Sequence, residues 1–219
     1  MISRRSGIQD LTKPTSQFNL PSMSKISAKE KVIVAAQQLM TGRGYSATTV
    51  DKIVGAAGVA KGSFYHAFKS KEELAITALE DYERKGWDIV ASGPYKDEPD
   101  PVRRAILFIE FIELKATELW EHGCLLGSMS MEVADLHPAL HQRIDELFEE
   151  FEDGLAKVFT PALKARSIVG VTGKDLARHM LAVIEGAIIT AKSHRKPKLL
   201  ADGLRHFRRY VEMLLGVNQ

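Results

Sequence analysis

The chain holds a single cysteine, Cys124, in 219 residues, so no intramolecular disulfide can brace it, and a reducing, cytoplasmic location is expected. Long apolar runs are missing too. The longest candidate, Leu181 to Ala191, is interrupted by Glu185 and Gly186, and no membrane span is expected. Alternation of period two is nowhere sustained, which argues against a sheet. Catalytic signatures are also lacking. In the glycine-rich stretch from Gly55 to Ser63, Ala60 precedes Lys61 and Gly62 follows it, so the phosphate-loop order is not met. His137 and His141 stand four apart, but Pro138 occupies the place where the metalloprotease helix needs glutamate. No Gly-X-Ser-X-Gly elbow occurs, and Glu149-Glu150 reads as a solvated helix face. Neither enzyme activity nor a cofactor or metal is expected.

What is present is an ordinary globular composition, 45% apolar and 26% charged, with a net charge of +2. That charge is unevenly placed. Residues 25–71 carry eight Lys and Arg against two acidic residues, so the remainder is mildly acidic. A basic head on a near-neutral body is the electrostatic footprint of phosphate binding.

Residues 48–74 give that charge a framework. Thr48 with Asp51 suggests a capped start, and Val50, Ile53, Val54 and Ala57 form one apolar helical face. Gly58 supplies a turn, and Lys61 to Phe68 make a second short helix with Phe64 and Phe68 inward. Two helices joined by a short glycine turn form a helix-turn-helix, the arrangement that lays one helix in a DNA major groove. Lys61, Ser63, Tyr65 and His66 remain on its outer side. Ser70 with Glu73 opens the next helix, where Lys71 stands beside backbone N–H groups that favour a phosphate. Ser27 with Glu30 opens the preceding helix, whose inner face is Val32, Ala35, Ala36, Leu39 and Met40. A plain solvated helix pair is the alternative for this stretch.

These residues carry a resemblance. Ala36, Leu39, Gly44-Tyr45, Thr48-Thr49-Val50, Ile53, Ala57-Gly58-Val59, Lys61-Gly62-Ser63-Phe64-Tyr65, Phe68 and Ser70-Lys71-Glu72-Glu73-Leu74 resemble the DNA-binding domain of the tetracycline-repressor-like (TetR) family of bacterial regulators. The resemblance implies that Tyr65, His66 and Lys71 meet phosphates, that Lys61 and Ser63 face bases or backbone, and that Thr48 and Thr49 touch a phosphate at the second helix.

Beyond Leu74 the pattern stays helical through Ala78, Leu79, Tyr82 and Trp87, until Gly93-Pro94 and Pro99-Asp100-Pro101 break it. Ala105, Phe108, Ile109, Ile112 and Ala116 share a face. Leu140, Ile144, Leu147, Phe148, Phe151, Leu155 and Val158 step by threes and fours until Pro161. A further helix follows the Thr172–Asp175 cap with Leu176, Met180, Val183, Ile184, Ala187, Ile188 and Ala191, and the last uses Leu200, Leu204, Phe207, Val211 and Leu214. The fold expected is all-α: a three-helix helix-turn-helix head joined to a helical body for ligand binding and dimerisation. Residues 1–24, polar and Pro-containing with Arg4-Arg5, are expected to be a disordered arm or, alternatively, a minor-groove arm; they lack the apolar run of a signal peptide. Residues 25–72 form the head and 73–219 the body. The helix Leu176–Ala191 is apolar around more than one stripe and carries Gly186, Ala187 and Ala191, which fits either an internal core helix or a partner's approach. In the family resembled, the last two helices pair with their copies, implying a homodimer and a palindromic operator in double-stranded DNA.

Gly123-Cys124-Leu125 and Glu185-Gly186-Ala187 with Ala191-Lys192-Ser193 resemble a TetR subgroup that includes repressors of electrophile-detoxifying reductases. Two readings of Cys124 stand. It is a small buried hydrophobe, or a sensor whose thiol is activated by a helix N-terminus and, as the resemblance implies, by Lys192 nearby. A reversible small-molecule inducer is the other regulatory expectation, with Phe108, Phe111, Trp120, Met129, Met131 and Met180 as lining candidates for an apolar cavity. The expected function is a DNA-binding regulator, a repressor by family analogy, released from its operator by such a molecule or by an electrophile or redox signal. The alternatives are an architectural DNA-binding protein without effector and, less well supported, an enzyme.

Overall fold

The computed structural model describes residues 26–133 and 136–217. The arm expected at 1–24 lies outside them, as do Ala134 and Asp135. Among the described residues there are nine α-helices, one 3₁₀ turn and no strand. They are α1 (Ala28–Arg43), α2 (Val50–Ala57), α3 (Lys61–Ala67), α4 (Lys71–Ala91), the 3₁₀ turn Pro94–Asp97, α5 (Pro101–Trp120), α6 (Leu125–Val133), α7 (Pro138–Ala165), α8 (Gly173–His194) and α9 (Lys198–Leu214).

Caps fix most of the starts. The Ser27–Glu30 box is complete, with Glu30 N donating to Ser27 Oγ at 3.2 Å and Ser27 N to the Glu30 carboxylate at 2.7 Å. The Thr172–Asp175 box closes the same way before α8. Ser70 caps α4 through Glu73 N at 3.0 Å, but the Glu73 carboxylate accepts from Lys69 N, one residue short of a reciprocal box. α2 departs from expectation. Its cap is Thr49, which accepts from Lys52 N at 3.3 Å, whereas Thr48 is fully buried. α7 also runs on: Pro161 sits inside it rather than ending it. Proline removes one N–H, and the packing of Phe159, Ala162 and Leu163 on either side outweighs that loss.

The first four helices pack around Val32, Ala36, Met40, Ile53, Phe64, Leu74 and Ala78, all fully buried. The larger layer joins α5, α7, α8 and α9. A chain of edge-to-face rings crosses it, Tyr95–Phe108 at 5.1 Å, Phe108–Phe159 at 6.0 Å and Phe159–Phe207 at 6.0 Å. Gly173 lets α8 close onto α7: a Cβ there would lie 2.1 Å from Thr160 Oγ1 and 2.8 Å from Ala156 O. Among the described residues no helix is long and apolar enough to cross a membrane.

Candidate nucleic-acid interface and effector cavity

α2 ends at Gly58, whose left-handed backbone (φ 63°) turns the chain so that Val59 N bonds back to Val54 O at 3.1 Å. α3 then crosses with Phe64 fully buried beneath it and Phe68 beside it at 5.9 Å. Anchoring by these two rings decides which side of α3 is left over. Lys61, Tyr65 and His66 are exposed and Ser63 half-buried. Tyr65 is 56% exposed, a large ring held edge-on to Phe64 at 5.0 Å rather than loose. Thr49 is exposed at the start of α2. Lys61 pairs with Asp51 at 2.7 Å, which holds its ammonium pKa up; both groups are exposed, so a phosphate exchanges readily for the carboxylate.

Two expected contacts are placed differently. Thr48 is inaccessible, and its hydroxyl donates to Gly44 O at 2.7 Å, so it has no donor left for a phosphate. Burial follows from its position one residue before the cap, where the chain still belongs to the α1–α2 turn. Lys71 is half-buried. Its Nζ donates to Tyr45 O at 3.1 Å and lies 3.8 Å from the Tyr45 ring centroid, and partial burial pushes its pKa down. Tyr45 in turn meets the His137 ring edge-on at 4.8 Å, tying this corner to the loop before α7.

A second link joins the same turn to the body. Ser46 N donates to the Glu132 carboxylate at 2.9 Å. Gly44, at φ 79°, leaves the space the other oxygen occupies; a Cβ there would sit 1.6 Å from Oε1. Glu132 lies in the last turn of α6, and Cys124 immediately precedes the helix. Ser128 Oγ, between them, donates to Thr41 O at 3.3 Å. One nine-residue helix therefore connects the thiol to the backbone that positions α2. Sequence reading missed Glu132, since nothing in a lone surface-type glutamate points to a glycine 88 residues earlier.

The body holds an apolar cavity of about 40 Å³. Phe108, Trp120 and Met180 line it as expected, joined by Glu83, Trp87 and Phe151. Phe111 and Met129 do not. Phe111 packs on Tyr95 at 6.0 Å near Gly93, and Met129 is fully buried in α6. Met131 points outward, 92% exposed. Met129 and Met131 belong to α6, which contributes nothing to the lining, and Phe111 packs elsewhere on α5, distinctions that apolar character alone does not make. Glu83 and Trp87 stand one turn apart on α4, a spacing that marked a shared face without saying what the face adjoins.

Cys124 is buried, and its thiol pKa is raised well above the ordinary value by that burial and by the carboxylate of Glu185. Gly127 N does donate to Sγ at 3.4 Å, as the helix start predicts, but desolvation wins. Burial thus opposes the activation that the sensor reading draws from the helix start. Lys192 lies against the neighbouring Gly123, its Nζ 2.9 Å from where a Cβ would stand.

Comparison with known proteins matches this geometry to a family. Residues 32–78 match the model of bacterial regulatory proteins of the tetR family, and residues 97–207 that of the tetracyclin repressor-like C-terminal domain. The chain belongs to the TetR family of DNA-binding transcriptional regulators, which are not enzymes. It is 29% identical over 185 residues to the transcriptional regulator AcuR of Cereibacter sphaeroides, covering 84% of each chain. The HTH-type transcriptional repressor NemR of Escherichia coli is 25% identical over 198 residues, with 84% of this chain and 93% of NemR covered. Among solved structures, a regulatory protein TetR from Rhodobacter sphaeroides superposes with a TM-score of 0.72 at 28% identity, covering 84% of this chain and 98% of that one.

Proposed function

We propose that this regulator is a cytoplasmic homodimeric repressor that grips a palindromic operator through α3 and lets go when the body binds a small molecule. The observation that carries the reading is the two-sided α3, with Phe64 fully buried beneath and Lys61, Ser63, Tyr65 and His66 on its accessible side. Tyr65, His66 and Lys71 are assigned to phosphates, Lys61 and Ser63 to bases or backbone, and Thr49 to a phosphate. The head is residues 25–72 and the body 73–219, the division falling in the first turn of α4. α8 and α9 are the dimer surface, on which Ile189 and Met213 are 66% and 71% exposed. Of the small residues on α8, Gly186 opens outward, while Ala187 approaches Gly203 of α9 within the chain. Two-fold symmetry would set the two copies of α3 about 34 Å apart.

Release requires the ligand to prefer the spacing of heads that does not fit DNA. A hundredfold fall in operator affinity needs about 2.7 kcal/mol of such preference. Glu132 on the Gly44–Ser46 turn supplies a mechanical path, because a shift of α6 moves the backbone that carries α2. Of the two release signals, burial and the raised thiol pKa of Cys124 favour the reversible ligand over electrophile attack.

The test is selection of binding sites from random DNA followed by competition at fixed salt. A regulator prefers its operator by ~10³-fold or more, whereas an architectural binder does not discriminate. The double substitution Tyr65→Ala and Lys71→Ala, in protein shown to dimerise, is expected to weaken operator binding by at least about a hundredfold. Unchanged sequence-selective capture would remove α3 from the interface.

A further inference from the structure

The cavity between α4, α5, α7 and α8 is unusual in what it combines. Its walls are apolar and aromatic, with Trp87, Trp120, Phe108 and Phe151 among them, yet Glu83 also lines it. No Lys, Arg or His is in the lining. Two further carboxylates, Glu150 and Glu185, act on Glu83 by charge repulsion. Glu150 has a cationic partner, Arg143 at 3.0 Å, and Glu185 is hydrogen-bonded with the Cys124 thiol. Among the described residues the Glu83 side chain makes no ion pair and no hydrogen bond. A carboxyl group in an apolar wall without a counter-charge is unfavourable to fold around, and an incoming cation removes that cost.

The aromatic part is built rather than incidental. Trp87 follows Glu83 by one turn of α4, so ring and carboxyl share a face. Its six-membered ring lies on Gly154 of α7, where a Cβ would fall 2.3 Å from Cη2, and beside the Phe151 ring at 5.5 Å. Glycine at 154 is what admits the indole. Electron-rich ring faces attract an alkylated ammonium, and the attraction is strongest where water is excluded. An anion would meet the carboxylates, and a neutral apolar molecule would fill the walls while leaving Glu83 uncompensated. The volume of about 40 Å³ limits the buried part to a small head group.

We infer that this cavity is a binding site for a small organic ammonium ion, its charged centre held between Glu83 and the faces of Trp87 and Trp120. The assignment deepens the small-molecule release described above and rests on that reading for any effect at the operator, though not for binding itself.

The chain contains only two tryptophans, and both line the cavity, so intrinsic emission reports the site directly. The full-length protein, free of DNA, is titrated with choline and separately with 3,3-dimethylbutan-1-ol, its uncharged isostere, at about pH 8, where Glu83 is ionised. Expected is a saturable emission change with choline at least about tenfold tighter than with the alcohol. Glu83→Gln, which keeps the shape and removes the charge, is expected to abolish that preference while the protein stays folded and melts no lower than before. Equal binding of the two probes to the unsubstituted protein overturns the assignment without any variant. So does an unchanged emission at millimolar choline, or a preference that survives Glu83→Gln. Because no DNA is in the titration, failure at the operator and failure at the cavity are separate results.

Discussion

Between Thr49 and Leu74 the decisive contacts are local: a hydroxyl capping three residues on, a glycine turning the chain, two phenylalanines four residues apart. The cavity in the body is assembled the other way, from Glu83 and Trp87 on α4, Trp120 on α5, Phe151 on α7 and Met180 on α8. The first region presents polar groups outward from a rigid platform. The second places a carboxyl group among mainly apolar and aromatic walls. A surface that meets DNA is made by anchoring one side of a helix, and the cavity is made by setting a carboxyl group without a counter-charge among apolar side chains. α6 lies between them, with Cys124 at one end and Glu132 at the other.

The sharpest way to break the contrast is in the core that holds the body together. Phe159 sits at the centre of the ring chain and is fully buried. Phe159→Ala is expected to lower stability by about 3–5 kcal/mol in denaturant titration. If the two regions are mechanically distinct, α2 and α3 keep their helical signals in the variant longer than α7 and α9 do. Loss of both together would show a single cooperative unit.

Gly44→Ala attacks the link instead. The position needs both a left-handed backbone and the space filled by Glu132. An expected loss of about 1–3 kcal/mol, with weakened operator binding, follows from strain and displacement of the carboxylate. Full operator affinity in a stably folded variant would sever the proposed path from α6 to the head.

Glu83 distinguishes the cavity from an ordinary core by its pH dependence. Its pKa is raised from 4.5 to about 7, first by burial and then by the charges of Glu150 and Glu185. The folded chain therefore keeps this proton to higher pH than the unfolded chain does. The contribution of the group to stability is full below about pH 4.5, declines as pH rises through about 7, and is flat above. Glu83→Gln is expected to remove that decline and to raise stability near pH 8 by about 1–3 kcal/mol, read from melting curves across pH. A variant that melts lower at that pH would mean the carboxylate is compensated by a partner.

The smallest effect is expected at Cys124. With its thiol buried and its pKa raised, Cys124→Ser should leave the operator response to an electrophile such as N-ethylmaleimide unchanged. Release seen in the unsubstituted protein and absent in the variant would restore the sensor reading.

Much of the molecule was legible beforehand, for reasons that vary along the chain. Helix periodicity in α5, α7, α8 and α9 comes from residues three and four apart, so the all-α fold and its inner faces could be read directly. Lys61, Ser63, Tyr65 and His66 followed as the remainder once Phe64 and Phe68 were assigned inward. Thr48 was misplaced because adjacent threonines offer the same cap, and only the α1–α2 turn chooses between them. Phe111 and Met129 were misplaced because apolar residues on different sides of a helix look alike until a neighbour is present.

Local chemistry alone therefore specified the helices, the turn at Gly58 and the charge of the head, since caps, glycine backbone freedom and side-chain spacing act within a few residues. Which carboxyl meets which ring, whether Cys124 sees solvent, and that Glu132 reaches Gly44 were decided only when the helices packed. Burial and the fields of distant charges depend on what surrounds a group in space, and neighbours in the chain do not supply that.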